Sequence, residues 1–204
     1  MKFKYLFIVL TFFIFILGGC LEKTIHIDFE NISSSATGNS FDPGTVLTDN
    51  NTGVKIVVLP FQWSNGNSTS TGFAEIVSGN KAGGSGKDIH CDNVCLGFII
   101  PESEMNINKF TAKFGEYGGN INLIVNDKWQ NFENFDMIPS PILSPNGGSV
   151  TINVSSGLPL GTIELLGKIN NFYESFPVET DLDSLYSIII GGQELWLDDV
   201  IFSE

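Results

Sequence analysis

The stretch IGGQELWLDDVIF, residues 190–202, decides the fold. It opens on a glycine pair and continues through Leu195, Trp196, Leu197, Val200, Ile201 and Phe202, interrupted only by Asp198 and Asp199. A short run that is apolar on both faces predicts a central strand, or a strand covered on both sides. Alternation through Trp196, Asp198, Val200 and Phe202 sets Asp198 among apolar neighbours, where an unpaired carboxylate is costly. Near the opposite end, TIHIDFE at 24–30 alternates cleanly. Ile25, Ile27 and Phe29 share one face, and Thr24, His26, Asp28 and Glu30 the other.

The intervening chain has the same texture. Only four alanines occur, Gly, Asn, Ser, Thr, Ile, Val and Phe abound, and no amphipathic run has a helix's period and length. Alternating runs at 110–114, 121–125 and 150–154 predict strands with one buried face. Runs at 54–59, 96–100 and 188–190 are apolar on both faces, like 195–202. Turn signals separate them: Asp42-Pro43-Gly44, 49–53, Ser64-Asn65-Gly66, Gly83-Gly84-Ser85-Gly86, Asn126-Asp127 and Pro145-Asn146-Gly147-Gly148. Roughly ten to twelve short strands at this spacing predict one all-β domain over 24–204, an antiparallel β-sandwich of jelly-roll, galactose-binding-like type. Segments 65–72 and 139–148 read as loops, and 174–184 as an acidic insertion.

Residues 1–19 stand apart. Lys2 and Lys4 precede an apolar stretch, 6–17, broken only by Thr11, which is the pattern of an export signal. An apolar core of about a dozen residues falls short of the roughly 20 that a spanning helix needs. Its end, Leu17-Gly18-Gly19-Cys20, resembles the lipobox of bacterial lipoproteins, which implies cleavage before Cys20 and a diacylglycerol on its thiol. The alternative is an ordinary signal peptide followed by a chance cysteine. Two or three acyl chains on one residue anchor stably. A tether of residues 20–23 reaches at most about 14 Å. The expected address is therefore the extracytoplasmic side of a cell membrane or outer membrane, with the domain close to the lipid.

Without Lys2 and Lys4 the chain keeps eight basic and 23 acidic residues, a net charge of −15, and it has no arginine. Nucleic acid is excluded as a partner, because affinity for phosphates rests on clustered Lys and Arg. Divalent cations are the natural counterweight to an acidic body near an anionic membrane. With Cys20 lipidated, Cys91 and Cys95 remain, and an oxidising compartment predicts a local disulfide between them. His90 beside Cys91 invites zinc, but His90-Cys91-x3-Cys95 lacks the usual ligand number and spacing.

The succession DFEN, PFQWSNG, AGGSG, FGEYGGNINLIVN and GGQELWLDDV is similar to a family of exported bacterial β-sandwich proteins without an assigned activity. Pairing a DFE-like first strand with a DD-containing last strand also resembles calcium-bearing jelly rolls, including carbohydrate-binding modules and MAM-type adhesion domains. The insertion at 174–184 departs from the compact form of that pattern. In a jelly roll the first and last strands lie together, which would bring Asp198 or Asp199 near Asp28 and Glu30. A calcium ion would remove the cost of burying such carboxylates, since it takes six to eight oxygen ligands in irregular geometry. The other reading leaves these acids edging the sheet in solvent.

Catalytic motifs are scarce. GGSGKD at 83–88 has Lys81 and Asp88 where a phosphate loop needs Gly and Ser or Thr, so it reads as a turn. No G-x-S-x-G or H-E-x-x-H occurs, and there are two histidines. A glycosidase needs only two suitably spaced carboxylates. Glu116, in FGEYGG, is the first acid to consider, against a solvated strand end. Trp63, Tyr117 and Trp129 are candidates to stack a sugar, against ordinary packing; Trp196, within an apolar strand, reads as core. These features suggest a non-catalytic surface module for glycan or another cell-surface component. A polysaccharide hydrolase or lyase and a structural envelope protein are the alternatives.

Overall fold

The computed structural model describes residues 23–34, 36–69, 71–101, 106–143, 148–157, 159–172 and 185–204. The leader, Cys20 with residues 21 and 22, and the acidic stretch 174–184 lie outside them. Sixteen strands form two antiparallel sheets. One sheet runs β12 (Ile142–Leu143), β13 (Ser149–Gly157), β14 (Leu160–Leu166), β9 (Lys109–Glu116), β16 (Leu195–Ser203), β7 (Lys87–Asp92), β6 (Phe73–Ser78) and β3 (Ser40–Phe41). A ninth strand, β1 (Thr24–Ile27), also pairs with β16. The seven-stranded sheet runs β11 (Lys128–Phe132), β10 (Ile121–Val125), β15 (Ile188–Gly192), β8 (Val94–Ile99), β5 (Lys55–Pro60), β4 (Val46–Asp49) and β2 (Ile32–Ser34). This is the all-β sandwich that the sequence predicts.

Alternation explains what lies between the sheets, with one exception. An irregularity at Asp198 and Asp199 reverses its phase in β16, so Val200 and Phe202 turn inward and part from Trp196 and Asp198, with which the sequence grouped them. Ile27 and Phe29, Phe110, Ala112 and Phe114, and Leu195, Leu197, Val200 and Phe202 all enter one buried cluster. Phe202 meets Phe98 and Phe110 edge-on, with ring centroids at 5.6 and 5.1 Å. Each such ring contributes about 1.5–3 kcal/mol on burial. The runs without alternation serve two layers. Val57, Leu59, Cys95 and Ile189 form a second cluster with Phe61, Phe172 and Tyr186, and Ile124 joins it from β10, a strand expected to have one buried face but buried along its whole length. Gly97 is required there, because a Cβ would come within 2.6 Å of the Tyr186 ring. The Asn126-Asp127 turn joins β10 to β11 with both residues at positive φ, 51° and 62°, as a two-residue hairpin demands.

The cysteine expectation is corrected. Only Asn93, at φ 54°, separates β7 from β8, and the chain changes sheet there. Cys91 belongs to the cluster between the sheets, and Cys95 to the second one. The Cys95 thiol points at Asn122 Oδ1, 3.4 Å away. Both thiols are free and buried, and burial raises both well above the ordinary thiol range, with Cys91 adding to the effect on Cys95.

The expected meeting of first and last strands does occur. Along one edge β16 pairs with β9; along the other its first half pairs with β7 and its second half with β1. Leu197 opposes Ile89, and Val200 opposes Ile27. The partner changes at Asp198 and Asp199, where the ladder to β9 shifts register and Asp199 takes φ 46°. That is a bulge, and it opens a seam between the end of β1 and the start of β7.

Candidate binding surface on the nine-stranded sheet

The connection between β6 and β7, residues 79–86, folds back over the outer face of the nine-stranded sheet. Two of its glycines lie close against the ends of carboxylate side chains. A Cβ on Gly84 would lie 1.6 Å from Asp198 Oδ2, and one on Gly86 would lie 1.8 Å from Glu30 Oε1. Within the loop the Gly79 and Gly83 amides bond the Gly86 and Asn80 carbonyls at 3.3 Å. Three carboxylates take the Lys81, Ala82 and Ser85 amides and that of Lys87 at the start of β7. Asp88 Oδ2 accepts from the Lys81 and Ala82 amides at 2.6 and 3.3 Å. Asp198 Oδ2 accepts from the Ser85 amide at 3.0 Å, and Glu30 Oε1 from the Lys87 amide at 2.7 Å. Bonds to charged acceptors are worth roughly 1.5–3 kcal/mol each when buried.

Fixing the loop places Lys81 over an aromatic group. His90 and Trp196 are register partners on β7 and β16, and their rings stack at 4.2 Å and 13°. Phe73 meets His90 edge-on at 6.0 Å. The Lys81 ammonium lies 4.4 Å from the Trp196 ring centroid and 5.6 Å from that of Tyr117. Tyr117 donates its hydroxyl proton to the Lys81 carbonyl at 3.1 Å. That carbonyl rests on Gly115, where a Cβ would sit 1.9 Å from it. Trp196 is 8% exposed and Tyr117 46% exposed. Glu194, exposed, approaches His90 Nε2 at 3.3 Å. An aromatic face, an ammonium and a carboxylate thus share one solvent-facing patch.

The residues singled out from sequence divide around this patch. Tyr117 is part of it. Glu116 points to the other side of β9 and is buried, accepting from the Phe135 amide at 3.3 Å. Burial raises its carboxyl, the Phe135 amide opposes that, and Asp136 adds to it. Trp63 packs edge-on against Phe61 at 5.2 Å, in a loop that Asn122 and Asn131 pin to the seven-stranded sheet through Gln62. Trp129 lies on β11 against the second cluster. The three expected aromatics therefore do not converge. Trp196 is buried as predicted, but on the outer face, between His90 and Lys81. Its role, with those of His90, Lys81 and Glu194, comes from register and loop placement, which local pattern does not carry.

The four acids read as calcium ligands are close in the fold but engaged separately. Asp199 bonds His26 Nε2 at 2.8 Å and Lys113 Nζ at 2.6 Å. Burial works against its charge, yet these two partners hold its carboxyl below the usual range. Glu30 takes the Lys87 amide, and Asp28 Oδ1 accepts from the Glu30 amide at 3.1 Å. Asp198 is fully buried, and its carboxyl is pushed up to about 6 by burial and by the charges of Asp199 and Asp88. Among the described residues no three His, Cys, Asp or Glu side chains converge to hold a metal. GGSGKD forms the turn expected of it, followed by a strand. Among the same residues no helix is long and apolar enough to cross a membrane. No protein-family model, curated protein or solved structure matches the chain.

Proposed function

We propose that the protein is a lipid-anchored, extracytoplasmic, non-catalytic binding module that takes carbohydrate on the Tyr117 and Lys81 patch. The supporting observation is the exposed Tyr117 ring beside an ammonium already held over Trp196. A sugar offers apolar ring faces to the aromatic and hydroxyls to Lys81 and Glu194. Full-length protein in detergent, applied to a glycan array, should bind a defined set of glycans. Tyr117→Ala and Lys81→Ala should each weaken that binding about tenfold, the scale of one stacking or charged contact. An array that stays blank, or binding that ignores both substitutions, overturns the reading. A polysaccharide hydrolase is the second reading, with Glu116, whose carboxyl burial raises and Asp136 raises further, as the acid to test. Reducing ends released by wild type and not by Glu116→Gln would establish that reading instead.

A further inference from the structure

The lysines of the nine-stranded sheet are treated unequally. Lys87, Lys109 and Lys113 each reach a carboxylate: Glu30 at 3.8 Å, Glu164 at 2.7 Å and Asp199 at 2.6 Å. Lys81, on the loop laid over that sheet, reaches none among the described residues, although the chain has 23 acidic residues to ten basic ones. Its backbone is fixed on both sides. The amide goes to Asp88 Oδ2 at 2.6 Å, and the carbonyl takes the Tyr117 hydroxyl at 3.1 Å. The exposed ammonium is thereby carried across Trp196, at 4.4 Å, and toward Tyr117, at 5.6 Å. Ring faces attract this charge, but its N–H donors stay open to an oxygen acceptor. Two acids of the neighbourhood are otherwise occupied: Asp88 Oδ2 by loop amides, and Glu194 Oε2 by His90 Nε2 at 3.3 Å.

We propose that the ligand of this patch is an acidic polysaccharide whose sugar ring carries a carboxylate, with the ring face on Tyr117 and the carboxylate on Lys81 Nζ. The inference rests on the carbohydrate reading above and narrows it. A neutral sugar would suit Tyr117 equally but leave the ammonium without a counter-charge, whereas a uronate supplies apolar face and anion on one ring. The 5.6 Å from the Tyr117 centroid to Nζ is within reach of a carboxylate borne at the edge of a stacked pyranose. The acidic body opposes a polyanion at long range, a repulsion screened within about 8 Å at physiological ionic strength. The contact at Lys81 therefore decides the preference there. Its strength is that of an exposed ion pair, so it selects among glycans more than it adds affinity.

The test uses full-length protein in detergent at physiological salt, with chelator present. It is titrated with polygalacturonate, alginate and hyaluronan, each beside its carboxyl-reduced neutral form. Wild type should bind at least one acidic polymer about fivefold more tightly than its reduced partner, the upper range of an exposed ion pair. Lys81→Met keeps the stem over Trp196 and removes the charge, so that preference should vanish, while Lys81→Arg should keep it. Equal binding of the two forms by wild type overturns the acidic ligand whatever the variants do. A preference that survives Lys81→Met, or a glycan array on which only neutral glycans bind, overturns it too, and all three outcomes leave the carbohydrate reading standing. Silence toward every polymer and every arrayed glycan removes both.

Discussion

At the scale of single residues, the two thiols and Asp198 make the sharpest predictions. Cys91 and Cys95 face different apolar layers, so native protein should leave a thiol reagent unreacted. In Cys20→Ser protein, urea without reductant should then release two reactive thiols; none would restore the disulfide. Asp198 supplies a pH dependence. Its folded value, about 6, exceeds its ordinary 3.8, so between those limits the folded state holds more protons than the unfolded one. Stability contributed at this site therefore falls as pH rises from about 4 to about 6 and is flat above, by at most about 3 kcal/mol. Urea melts in chelator should show Asp198→Asn gaining on wild type across that window. A constant difference would contradict the assignment. Sequence marked Asp198 as costly by grouping it with Val200 and Phe202, but the irregularity at Asp198 and Asp199 turns those two inward and leaves Asp198 with Trp196 on the outer face. Sequence could not show Asp88 near it, because the two lie 110 positions apart.

Elements were legible where local pattern and pairing agree. The β10–β11 hairpin follows from the Asn126-Asp127 turn signal after the run at 121–125, and the doubly covered β5, β8 and β15 follow from their unbroken apolar runs. The sixteen strands among the described residues exceed the ten to twelve expected, and β2, β3 and β12, of only two or three residues each, account for most of the excess. They sit at or near sheet edges and owe their form to a neighbour rather than to propensity. Loop 79–86 was legible as a turn but not as a cover, since its resting place is set by Gly115 on another strand. Gly115→Ala should push a methyl into the Lys81 carbonyl and lift the loop, at about 1–3 kcal/mol. Gly157→Ala meets nothing within 4 Å and should stay within about 0.5 kcal/mol. Equal Tm losses for the two would show that the loop does not rest on Gly115.

For the whole molecule, the anchor reading makes its own prediction. Wild type should partition into a detergent phase, and Cys20→Ser should move it to the aqueous phase; a wild type already aqueous would refute lipidation. A lipid tether would deliver any pull to Thr24, the outer end of β1. That strand has one neighbour and four paired residues, and the seam separates it from the β7 half of the same edge. Strain entering there is spent on four short pairs, and the ladder carrying His90 and Trp196 is not loaded until they part. For a tethered chain the bulge at Asp198 and Asp199 would work as a mechanical fuse: amide exchange should show β1 opening ahead of β7, so that a pull on Thr24 would leave the ladder of His90 and Trp196 closed.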